Sequence, residues 1–134
     1  MLRKIKILAL CLVLFGCQNP FLVFPGKSLS GEERIVESFA FAADYPLLQL
    51  ETRLEQPYSV LLRTTVIDGE LYVDAAPARR WGKYLAESSQ VRIKLGEAVY
   101  PAMAEVVTDP DITDRFLSGR TIYRIKPRRS DSSP

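Results

Sequence analysis

Residues 64–75, Thr64-Thr65-Val66-Ile67-Asp68-Gly69-Glu70-Leu71-Tyr72-Val73-Asp74-Ala75, decide how this chain folds. Asp68-Gly69 lies between two β-prone runs. A two-residue hairpin turn needs φ > 0, which these two residues adopt with little strain. After the turn, Leu71, Val73 and Ala75 alternate with Tyr72 and Asp74, giving the returning strand one apolar face. Before it, Val60, Leu62, Thr64 and Val66 share a face. The segment reads as one hairpin of an antiparallel sheet.

The same period of two continues outward. Leu48, Leu50, Thr52 and Leu54 line one face of an earlier strand, with Gln49, Glu51 and Arg53 opposite, and Gln56-Pro57 turns the chain. Downstream, Pro77 ends the third strand, and Ala78 to Glu87 predicts a helix with Trp81 and Leu85 four apart. Val91, Ile93 and Leu95 alternate with Arg92 and Lys94, and Gly96-Glu97 is a second tight turn. Ala98 to Val107 is the partner strand, where Pro101 calls for an edge or a bulge. Asp109-Pro110 starts a further helix, as N-cap and first helical residue, with Ile112, Phe116 and Leu117 as its buried stripe. Thr121, Tyr123 and Ile125 form the last strand. Ahead of all these, Glu32 to Ala43 suits a short helix through Ile35, Val36, Phe39 and Ala43, although Phe39 and Phe41 alternate as in a strand. The order β-β-β-α-β-β-α-β, with one apolar face on most strands, predicts an antiparallel sheet curling on itself. The fold class is α+β: a small, partly open barrel of about six strands with two or three short helices over its gaps.

The N-terminus carries a separate message. Arg3, Lys4 and Lys6 precede an apolar run from Ile7 to Phe15, and Leu14-Phe15-Gly16-Cys17 closes it. Positive charge, a short apolar stretch and a small residue make a secretory signal. The run is shorter than the ~20 residues of a membrane-spanning helix. Cys directly after Gly is the lipobox arrangement of bacterial lipoproteins, with Phe15 bulkier than usual. Cleavage before Cys17 and lipidation of its thiol are expected, and the partner is then a membrane, held through several acyl chains. Gln18 replaces the Asp that usually retains lipoproteins in the inner membrane. The expected location is the outer membrane facing the periplasm, in a cell with two membranes. The organisation is a signal peptide (1–16), a lipidated Cys and tether (17–31), a barrel domain (32–127) and a polar tail (128–134). Phe21, Leu22, Val23 and Phe24 are apolar for a tether and suit either packing on the domain or burial among headgroups.

Composition removes whole classes of function. The chain has 18 basic and 16 acidic residues; cleavage takes three basic residues and no acidic one, leaving a net charge of −1. No field remains to draw in nucleic acid. Cys11 leaves with the signal, so no disulfide is available to the domain. Histidine is absent, which excludes Ser–His–Asp and Cys–His catalysis and any histidine-containing metal site. No metal-loop spacing and no glycine-rich phosphate loop occurs, so no metal is expected.

From Thr64 to Val107 and beyond, the chain resembles the split β-barrel flavoproteins: the pyridoxamine-phosphate-oxidase-like and deazaflavin-dependent nitroreductase-like proteins. The hairpin Val66 to Val73 is similar to their central hairpin. Trp81-Gly82-Lys83-Tyr84-Leu85, followed by Val91, resembles the nitroreductase group's helix. Ala104 to Pro110 is similar to its strand-into-helix junction, and Tyr123-Arg124-Ile125-Lys126-Pro127 to its closing strand. The resemblance implies a split barrel that dimerises and holds flavin mononucleotide (FMN) or a deazaflavin in a groove. It also implies Arg63, Arg79, Arg80 and Lys83 as the phosphate grip, with Tyr72 and Trp81 flanking the ring. Arg offers paired donors to a phosphate, and the ring would supply the redox chemistry. Otherwise Arg79, Arg80 and Lys83 are a solvated helix face, Trp81 is a core anchor, and Arg63 pairs across the sheet with an acidic neighbour. Two departures stand out. Leu54-Glu55-Gln56-Pro57 brings a carboxylate where the nitroreductase group has a basic loop, and Asp74 falls near the implied phosphate site. The functional expectation is therefore a flavin- or deazaflavin-type oxidoreductase, or a relative that binds without turnover. The alternative is a non-enzymatic envelope lipoprotein recognising a protein or a small anionic ligand.

Overall fold

A computed structural model describes residues 28–129. In chain order these form β1 (Glu32–Glu33), a 3-10 turn (Ala40–Asp44), β2 (Leu47–Thr52), β3 (Tyr58–Arg63), β4 (Thr65–Ile67) and β5 (Glu70–Ala75). There follow α1 (Arg80–Glu87), β6 (Gln90–Leu95), β7 (Ala98–Val107), α2 (Pro110–Thr113) and β8 (Thr121–Pro127). The signal peptide, Cys17, residues 18–27 of the tether and residues 130–134 of the tail lie outside the described residues.

The strands make one sheet in the order β3-β2-β6-β7-β8-β5-β4, antiparallel along that path, with β1 parallel to the start of β7. Its two ends, β3 and β4, are neighbours in sequence, separated only by Thr64. The single strand expected over 60–66 is broken there. The Thr64 N–H donates to the Pro46 carbonyl at 3.1 Å, and the chain crosses from one edge of the sheet to the other. The sheet is therefore curled into a split barrel, the architecture the period-two pattern predicts.

The hairpin closes on Asp68 and Gly69, with φ of 50° and 79°, and pairs Ile67 with Glu70. Leu48, Leu50, Leu71, Val73, Val91, Ile93 and Leu95 fill the barrel, each no more than 1 % exposed. Each such side chain contributes on the order of 1.5–3 kcal/mol by leaving water. Trp81 and Leu85 bring α1 into the same core. Tyr84 anchors that helix further: its ring meets Tyr58 edge-on at 5.4 Å, and Arg53 lies 4.1 Å over it.

Among the described residues before β2 there is no α-helix. Glu32–Glu33 pairs with β7, and Ala40–Asp44 is a 3-10 turn that buries Ala42, preceded by the buried Phe39. Phe39 and Phe41 both meet Tyr100, at 5.9 and 5.4 Å. These aromatic contacts hold the segment against the barrel, in preference to a helical face. Ser28–Ser30, inside the expected tether, is also bonded to the barrel through Glu51 and Lys94.

Pro101 is internal to the sheet, paired opposite Arg92. Its carbonyl accepts the Arg128 N–H, so its missing N–H falls on the side of β7 where the partner changes from β1 to β8. Opposite Arg128 in the β7–β8 register, Pro101 forgoes only the reciprocal bond of that pair, at the very end of the ladder. Asp109 caps α2 through the Asp111 N–H, with Pro110 at the first turn. The helix is a single turn; Ile112 and Phe116 pack on the sheet, whereas Leu117, expected in the same stripe, is exposed.

Candidate functional site

Where the sheet splits, a cleft of about 560 Å³ opens between β3 and the connection from β5 to α1. Tyr58–Leu62, five consecutive residues of β3, form one wall. Successive strand residues face opposite ways, so only a strand seen edge-on can present such a run. Across the cleft stand Ala78, Arg79, Arg80 and Trp81, with Asp74 and Arg120 alongside.

The β5–α1 connection is a type II turn. Arg79 N–H donates to the Ala76 carbonyl at 3.3 Å, Pro77 occupies the first central position, and Ala78 the second with φ 66°. That second position favours glycine, and Ala holds it with strain of about 1 kcal/mol or more. The turn delivers Arg79 as the N-cap of α1 and Arg80 as its first residue.

Ion pairing among the described residues is partial: Arg53, Arg63, Lys83, Lys94, Arg115 and Arg128 meet no carboxylate. Arg34, Arg92, Arg120, Arg124, Lys126 and Arg129 each meet a carboxylate. Arg79 and Arg80 meet none among the described residues. They lie at the positive end of a helix that has no acidic residue in its first turn and no side-chain cap. Cations there oppose the helix dipole and leave its first N–H groups without a side-chain acceptor. An anion in the cleft would relieve both.

Arg120 and Asp74 supply the remaining charges. Arg120 Nη1 donates to Asp74 Oδ2 at 2.9 Å, with both side chains about a quarter to a third exposed, at 32 % and 25 %. Nearby, the Tyr123 hydroxyl points to the Gly82 carbonyl of α1 at 3.5 Å, and burial pushes its phenol above the ordinary value.

Of the residues singled out in the sequence, the cleft brings together Arg79, Arg80 and Trp81. Trp81 serves both readings, since it is buried in the core and also lines the cleft. Lys83 is exposed on α1 and Arg63 is exposed at the end of β3; neither lines the cleft. Arg63 is opposite Leu47, not an acidic residue. Tyr72 lies elsewhere, in a second cluster with Val107 and Ile122, 6.3 Å from the Phe116 ring. Arg124 donates to its hydroxyl at 3.2 Å. Tyr72 and Trp81 therefore do not flank one space. Glu55 does not line the cleft, whereas Asp74 does. Arg120 and Tyr58 went unnoticed in the sequence. The one signal for Arg120 was its place just before the closing strand.

No family model matches the chain. No curated protein matches it either. Among solved structures, it is similar to a candidate pyridoxamine 5'-phosphate oxidase of Listeria innocua, with 14 % identity and a TM-score of 0.56 over 67 % of this chain and 90 % of that one. A conserved hypothetical protein of Mycobacterium tuberculosis is similar at 21 % identity and TM-score 0.54, over 75 % and 87 %. The heme storage protein HutZ of Vibrio cholerae is similar at 18 % identity and TM-score 0.50, over 66 % and 86 %. At these identities the likeness establishes the fold alone: a mostly antiparallel split barrel with a few short helices.

Proposed function

We propose that this chain is an exported lipoprotein, held on a membrane through lipid on Cys17, whose split barrel binds a phosphate-bearing flavin-type cofactor. The observation that carries the reading is the pair of cations, Arg79 and Arg80, without carboxylate partners among the described residues, at the positive end of α1 and facing an open cleft. Two guanidiniums and free helix N–H groups fit a phosphate monoester. A volume of about 560 Å³ falls within the range of small-molecule sites. Trp81, Tyr58 and the apolar side chains of β3 would lie along a planar ring. The shared fold with the Listeria protein supports the same reading.

A bound flavin supplies redox chemistry through its ring. The chain's own residues have simpler tasks. Arg79 and Arg80 hold the phosphate, β3 excludes water from one side, and the type II turn fixes the distance between the grip and Trp81. A homodimer belongs to this proposal, and the exposed Val106 and Leu117 offer it an apolar surface.

One observation favours a second reading, binding without turnover of a small anionic ligand. Tyr72 stands apart from the cleft, and Asp74 places a carboxylate inside it. The test is an absorbance spectrum and mass analysis of the full chain in detergent, before and after adding FMN or a deazaflavin. A chromophore released on denaturation, and lost when Arg79 and Arg80 become Ala, supports the cofactor reading. Absence of chromophore and of binding at tens of micromolar overturns it. For the anchor, labelling with radioactive palmitate should mark the chain and fail on Cys17→Ser.

A further inference from the structure

We propose that Asp74 sets how much negative charge the cleft accepts, and so selects a ligand ending in a single phosphate monoester over one carrying a diphosphate. The inference rests on the phosphate-binding reading above and adds a specificity-determining residue to it.

Three guanidiniums line the cleft, those of Arg79, Arg80 and Arg120. They are not equivalent. β5 and β8 are adjacent, and their last rung pairs Ala75 with Thr121, so Arg120 sits one residue beyond the ladder and beside Asp74. The 2.9 Å ion pair that results spends the charge of Arg120 within the protein. Arg79 and Arg80 keep theirs. Two uncompensated cations match the two charges of a phosphate monoester. A diphosphate brings further charge, which would have to compete with Asp74 for Arg120 and lie close to the Asp74 carboxylate. Like charges at such range repel, and a cleft walled by protein screens them less than open water does. Asp74 thereby acts as a built-in counter-anion that penalises the larger ligand.

The charge count gives a cycle of variants with distinct outcomes. Asp74→Asn keeps the size and an acceptor oxygen but frees Arg120. Arg120→Ala leaves the Asp74 carboxylate unpaired in the cleft. The double variant removes both charges and restores the original balance. Inorganic phosphate and pyrophosphate serve as probes, titrated calorimetrically into the full chain in detergent at fixed ionic strength, with a thermal melt of each variant as a check on folding.

Wild type should favour phosphate. Asp74→Asn should shift the preference towards pyrophosphate by about tenfold. Arg120→Ala should weaken both probes, and the double variant should return to the wild-type ratio. An unchanged ratio in Asp74→Asn, or a double variant as weak as Arg120→Ala, overturns the role of Asp74. If phosphate binding in those cases still weakens with Arg79→Ala, the cleft reading stands and only the selectivity argument falls. If neither wild type nor Asp74→Asn binds either probe, both fall.

Discussion

The carboxylate of Glu51, on β2, accepts the backbone N–H of Leu29 at 2.5 Å, in a spot where both residues are buried. Arg92 Nη1 approaches the other Glu51 oxygen at 3.3 Å, and Ser28 Oγ is 3.4 Å from the first. This side chain pins the start of the described chain onto the outside of the barrel. Glu51→Ala would leave the Leu29 N–H without its acceptor and Arg92 without its partner. The expected loss is about 2–4 kcal/mol in urea denaturation. Glu51→Gln keeps an acceptor and should lose about half as much. Faster proteolysis near Leu29 should accompany Glu51→Ala. Equal stability of Ala and wild type would show that the bond holds nothing.

Glu51 also marks where sequence reasoning stops. Alternation showed which strand positions share a face, and it placed Leu48, Leu50, Val73, Val91 and Ile93 in the core. It could not show that the opposite face of β2 is itself covered by residues 28–30, so nothing marked Glu51 as buried. Tyr72 failed to declare itself for the same reason: α2 and Phe116 build a second cluster outside the barrel. Thr64 continues the alternating pattern, so nothing in its neighbourhood announced the break between β3 and β4. In the cleft, Arg79, Arg80 and Trp81 were legible because they are consecutive. Arg120 was not, since its meeting with Asp74 depends on strand order and register between residues 46 positions apart.

Ala78 holds φ 66° at the turn position that favours glycine. Ala78→Gly should remove the clash of Cβ with the backbone, partly offset by the greater freedom of Gly in the unfolded chain. The net expectation is a gain of about 0.5–1 kcal/mol, measured as a higher denaturation midpoint. Phosphate binding should persist, because Arg79 and Arg80 keep their backbone positions. A loss of stability would mean that Ala78 makes contacts outweighing its strain.

Tyr123 gives the clearest dependence on pH. Burial raises its phenol above the ordinary value of 10.0, so the folded protein keeps the proton longer than the unfolded chain does. That contribution is complete below the unfolded value and is lost as pH rises through the folded one. Tyr123→Phe should flatten the alkaline loss of stability. It should cost little at neutral pH, since the hydroxyl reaches Gly82 only at 3.5 Å. Denaturation curves for both proteins across the alkaline range decide it; parallel curves would mean that Tyr123 does not control the limb.

Arg79 supplies the sharpest separation of function from stability. As the N-cap of α1 it offers the helix no acceptor and adds a cation to the positive end. Asp at that position would accept a backbone N–H and favour the dipole, gaining about 1 kcal/mol. The same change puts a carboxylate where the phosphate is proposed to bind. Arg79→Asp should therefore melt at a higher temperature than wild type while losing phosphate affinity by more than about tenfold. Arg79→Ala should lie between the two in both measurements. If stability and phosphate affinity fall together in Arg79→Asp, then Arg79 supports the fold through contacts of its own, and the case for an anion grip at this corner loses its main support.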